Sequence, residues 1–122
     1  GTQMKSFIIS MDAEAAIEAK KWLVPGTSFG VKQATAAGAS IGLSESFADP
    51  ALPAYKSGKV GVIKQGLVKV QAAAATYAIG DVVELDSSGQ LVKAGTTNPV
   101  GTVCENKVLS APGELLIYVN VA

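Results

Sequence analysis

Apolar and polar side chains alternate in short runs along the second half of the chain, and turn signals separate the runs. In residues 66–72, Val68, Val70 and Ala72 share one face while Lys69 and Gln71 take the other, the period of a half-buried strand. A turn over Ala78, Ile79, Gly80 and Asp81 leads into a strand at 82–85. Residues 86–89, Asp-Ser-Ser-Gly, then read as a hairpin loop, because the aspartate can cap it and the glycine can take positive φ. Further strands follow at 90–94, 99–105 and 113–121, the last with Leu115, Ile117, Val119 and Val121 on one face. Short strands at this spacing predict a mainly β fold, a small barrel or sandwich of antiparallel strands.

The first half echoes this plan. Ala16 and Ile17 precede residues 21–24 much as Ala78 and Ile79 precede 82–85. Residues 41–45 stand where 100–105 stand, and 58–63 answer 113–118. The offsets drift from 62 to 59 to 55, as two copies of one β-meander with unequal loops would show. Local rules disagree at one place. Residues 12–22 carry an aspartate cap, a run of alanines and terminal lysines, the signature of one short helix. Residues 46–58, with two prolines, read as a long loop. The domain reading is an N-terminal arm at 1–11 followed by a single β-rich domain at 12–122. Met4, Phe7, Ile8, Ile9 and Met11 in that arm suit two placements. It is either the first strand of the barrel or a strand added to a neighbouring subunit.

Composition narrows the chemistry. The 122 residues hold ten lysines, ten acids, no histidine and no arginine. The commonest general base and metal ligand is therefore absent, as is the forked donor that phosphate and base edges favour. A formal charge of zero gives no electrostatic footprint for nucleic acid. The longest charge-free run, 33–44, is far short of the ~20 apolar residues a membrane helix needs. Cys104 is alone, so no intrachain disulfide can form. Asp81, Glu84, Asp86 and Glu105 are the one acidic group worth weighing, and they read as solvated turn acids. The lysine pair beside Trp22 lies among glutamates and reads as a solvated face next to a core or interface tryptophan. No enzyme, cofactor, metal, nucleic-acid or membrane role is expected. Charged residues are only 16% of the chain and glycine and alanine are abundant, which suits close burial against partners.

These residues resemble the capsid cement, or head decoration, proteins of tailed phages. The likeness lies in the strand 66–72, the run Ile79-Gly80-Asp81-Val82-Val83, the Asp86-to-Gly89 hairpin, Pro99-Val100-Gly101-Thr102-Val103 and the closing strand. The Ile-Gly-Asp spacing is one residue tighter than that family's commonest form, and Val103 stands near a frequent alanine. The opening Met4-Lys5-Ser6-Phe7-Ile8 is also similar. The resemblance implies a non-enzymatic virion protein, made in the bacterial cytoplasm, that sits on the capsid exterior and bridges capsomers. It implies an HK97-type major capsid protein as partner and a homo-oligomer, a trimer before a dimer. Phe7, Ile8, Ile9 and Trp22 are the expected contact residues. The alternative is a carbohydrate- or cell-binding β module of a head fibre or tail tip.

Overall fold

Eleven strands and no helix make up the described residues, 6–52, 58–93 and 97–121, of the computed structural model. In chain order they are β1 (Phe7–Asp12), β2 (Trp22–Pro25), β3 (Val31–Gln33), β4 (Gly42–Ser44), β5 (Lys59–Ala72), β6 (Ala75–Tyr77), β7 (Val82–Leu85), β8 (Leu91–Lys93), β9 (Gly101–Val103), β10 (Lys107–Leu109) and β11 (Gly113–Asn120). Met4, Tyr55 and the hairpin end at Ala94 lie outside the described residues.

The mainly β expectation holds, and the pairing shows its plan. The second half of β5 pairs with β11, β11 with β9, β9 with β7 and β7 with β8, all antiparallel; β8 then meets β5 in parallel at Leu91–Ala72, closing a five-stranded barrel. The first half repeats this order. β1 pairs with β5, β5 with β4, β4 with β2 and β2 with β3, and a parallel bridge from Ala13 to Val31 joins the ends. Even the closing hydrogen bond recurs: Glu14 N–H donates to Val31 O at 2.9 Å, and Ala73 N–H to Leu91 O at 2.8 Å. The internal duplication is thus written in the register, and β5 serves both rings. Each ring has its own core, one around Ile17, Leu23, Val31, Val60 and Val62, the other around Tyr77, Val83, Leu91, Leu115 and Ile117.

One correspondence needs correcting. Register places Leu23 with Val83 and Val31 with Leu91, an offset of 60, so Ile17 answers Tyr77 rather than Ile79. Burial agrees, since Ile17 and Tyr77 are enclosed while Ile79 is exposed. Bridging agrees too, with Ile17 opposite Ala48 and Tyr77 opposite Lys107.

The short helix that local rules allow at 12–22, against the duplication, does not form. Its backbone groups bond to distant strands instead: Ala13 N–H to Gly58 O, Ile17 N–H to Ala48 O and Lys20 N–H to Ser44 O. Isolated helices of this length are marginal in water, so strand partners that bury Ala13 and Ile17 outweigh local propensity. The buried Ser44 hydroxyl closes the segment by donating to Glu18 O (2.6 Å) and accepting from Lys21 N–H (2.8 Å).

Gly66 is the pivot. Its φ of 154° lies in glycine territory, and it stands where β5 leaves the first ring for the second. The pairing there is symmetric. Gln65 faces its own counterpart Asn120, Gly66 faces Val119, and Val121 N–H donates to Lys64 O at 2.8 Å. The barrels therefore meet about a local pseudo-twofold, marked by Gln65 Nε2 donating to Asn120 Oδ1 at 3.2 Å.

The barrels differ in how they hold the loop after their first hairpin strand. In the second, Asp86 Oδ1 accepts from the Ser88 N–H, the Ser88 hydroxyl and the Gln90 N–H. In the first, Gly26 replaces that aspartate, and Glu14 reaches over from the end of β1 to accept from the Thr27 and Ser28 N–H groups. Those two N–H bonds, Ser28 first, hold the Glu14 carboxyl below its ordinary 4.5. For Asp86 burial pushes upward, but the Ser88 and Gln90 bonds together outweigh it and leave the group below its ordinary 3.8. Both groups have depressed folded values, so their contribution is complete above those ordinary values and is lost as pH falls through the folded ones. The urea midpoint should therefore fall on acidification below about 4.5, and Glu14→Gln should shrink the part of that fall due to the first loop.

Candidate docking surface

A β-bulge lies where the N-terminal strand reaches the pivot of β5. In β1, Phe7 pairs with Gln65 and Ile8 with Ile63, so the register slips by one residue between them. The extra residue, Lys64, is on β5, so the side-chain alternation shifts on that strand, while Phe7 beside Gln65 and Ile8 beside Ile63 stay consecutive along β1. Pairing then resumes with Ile9 opposite Val62, and Ile9 packs half-buried on the first core. Phe7, Ile8 and Leu67 remain 55%, 41% and 47% exposed. Leu67 pairs with Tyr118 of β11, in the second barrel.

Trp22 sits elsewhere. It pairs with Leu43, which pairs with Ile63. This row faces away from the first core and packs into the second, leaving Trp22 5% exposed. Of the four expected contact residues, the structure leaves Phe7 and Ile8 exposed. It turns Ile9 into the first core and uses Trp22 as the wedge between barrels. Leu67 was passed over by sequence reading because a single leucine in an alternating strand carries no signal of its own.

The acids are dispersed. Asp81 accepts from Ala78 N–H and lies 3.7 Å from Lys93 Nζ, Glu84 accepts from Asn98 N–H, and Glu105 accepts from Leu116 N–H. Each ties down a different loop, and among the described residues no three acids, cysteines or histidines gather where a metal ion could sit. Cys104 is half-buried just after β9 and its thiol approaches Thr102 O at 3.6 Å. No helix among the described residues is long and apolar enough to cross a membrane.

No protein-family model matches this chain, and no curated protein matches it. Solved structures do. One of them is the N-terminal base of the head fibre protein gp8.5 of bacteriophage phi29, with a TM-score of 0.58 over 95% of both chains at 13% identity. What the two share is the fold. The match spans nearly the whole of each, so it takes in both barrels and the junction between them.

Proposed function

We propose that this chain is a structural protein of a phage virion that adheres to the outside of the capsid. The observation that carries the reading is the end-to-end fold likeness to a phage head fibre base, joined to the sequence resemblance to cement proteins. In this reading the partner is an HK97-type major capsid protein, and the chain bridges capsomers as a homo-oligomer, a trimer before a dimer. Phe7 and Ile8, with Leu67, form the contact patch. Binding to the assembled shell and not to its free subunits stabilises the shell by linkage, and many modest sites multiply the effect.

The test is sedimentation of purified protein with undecorated, expanded capsids. Saturable binding at a fixed ratio to capsid protein is expected. Phe7→Glu with Ile8→Glu should weaken it at least tenfold while leaving the far-ultraviolet circular dichroism and the melting temperature almost unchanged, since both side chains already face water. Wild-type-like binding by the double variant would remove the patch from the reading, and absence of any capsid binding would remove the reading itself.

The fibre likeness favours a second reading, a carbohydrate- or cell-binding β module of a head fibre or tail tip. Glycan-dependent retention without capsids would select it.

A further inference from the structure

The pseudo-twofold makes each surface of one barrel comparable with its mate on the other, and one mismatch lies at the junction. A crevice of about 270 Å³ opens there, between Lys20, Lys21 and Gln33 of the first barrel and Gln71, Ser88 and Gln90 of the second. The mate positions are Gly80, Asp81, Lys93, Asp12, Ser28 and Gly30, and only the serine is kept. On the mate side the charges pair off: Asp81 lies 3.7 Å from Lys93, and Asp12 lies 2.6 Å from Lys59. On the crevice side no carboxylate is among the lining residues. The nearby acids are turned to other work or stand in solvent. Asp86 is held by its own loop, and Glu18 is a largely exposed side chain 4.0 Å from Lys21 Nζ.

Lys20 adds an independent sign. Among the described residues it is the non-glycine with positive φ, 59°, where the mate residue is Gly80 at 96°. L side chains avoid this conformation, and such outliers collect at functional sites. Its Nζ makes a 3.3 Å bond to Glu45 O on the exposed surface, so folding alone gives little reason to hold a lysine there.

We propose that this crevice is a carboxylate-binding site. The two lysines supply the charge. Gln33 has its Oε1 committed to the Glu18 N–H at 2.6 Å, which leaves its NH₂ donors to offer. Phosphate sites draw on convergent backbone N–H groups, but here the Ser88, Gly89 and Gln90 N–H groups are already spent on Asp86. Side-chain donors and lysine charge suit a carboxylate, brought by a small acid or by a glutamate or aspartate of another protein. The inference does not depend on capsid binding.

The experiment is an amide and side-chain NMR titration of the full chain at constant ionic strength. The probes are glucuronate, the capped peptide Gly-Glu-Gly, its Gly-Gln-Gly analogue and inorganic phosphate. Saturable shifts confined to residues 20–22, 33, 71 and 88–90 are expected with the two carboxylates, and the tighter of them tells small acid from protein side chain. Lys21→Gln should weaken binding at least fivefold. Lys20→Gly should weaken it too while holding or raising the melting temperature, because it installs the residue its mate already uses. Shifts that never saturate, survive Lys21→Gln, or appear equally with phosphate or the Gly-Gln-Gly peptide would overturn the assignment.

Discussion

Trp22→Ala is expected to cost the fold about 3–5 kcal/mol, the range for emptying a large aromatic site in a packed core. The reason is the direction of the side chain. β2 sends Leu23 into the first core and Trp22 out of it, and what covers Trp22 is the second barrel. Removing the indole leaves Leu43 and Ile63 beside a void at the junction. The backbone is pinned nearby: Gly89 approaches Ala34 so closely that an added Cβ would lie 2.5 Å from its carbonyl oxygen. Urea denaturation followed by circular dichroism measures the loss. Phe7→Ala, at an exposed site, is the control and should change stability by less than about 0.5 kcal/mol. A Trp22→Ala variant as stable as that control would mean that the barrels do not rely on each other through this residue.

The contrast between Trp22 and Phe7 marks how far the sequence could be read. Alternation in 66–72 and 113–121 reports one buried and one open face, and Val70, Ala72, Leu115, Ile117 and Val119 are buried as that pattern requires. Alternation also says that Trp22 and Leu23 face opposite ways. It cannot say that a second barrel covers one of those faces, because that depends on contacts far along the chain. The bulge at Lys64 of β5, opposite Phe7 and Ile8, is invisible for a related reason: it is set by the pairing of two strands far apart in the chain. Residues 58–63 and 66–72 read as two strands because Lys64, Gln65 and Gly66 break the apolar pattern, yet they run on as one strand through a glycine able to take the bend. β6 and β10 escaped notice because each is only three residues long, β6 within an alanine-rich stretch, too short for a periodic signal. The crevice was legible only as a lysine pair beside a tryptophan. Its other wall comes from residues some fifty to seventy positions away.

Ile117→Ala carries the question of how the two barrels unfold. Ile117 lies in the middle of β11, opposite Val68 on one side and Val103 on the other, and is fully buried. Truncation should cost about 2–5 kcal/mol. A damaged second barrel should not unfold alone, because β5 is a strand of both rings and Trp22, Leu43 and Ile63 of the first belong to the core of the second. The first barrel would lose the surface that buries its outer row, and its part of β5 would be left to fray from the pivot. One transition is therefore expected, with the fluorescence of Trp22 at the junction and the circular dichroism of all strands moving to the same lower urea midpoint. Amide exchange at Leu23 and Val62 of the first core should accelerate in step with that at Leu115 of the second. Protection that persists in the first core while the second opens would show the duplicated units to be separately stable, with β5 a hinge between two independent rings.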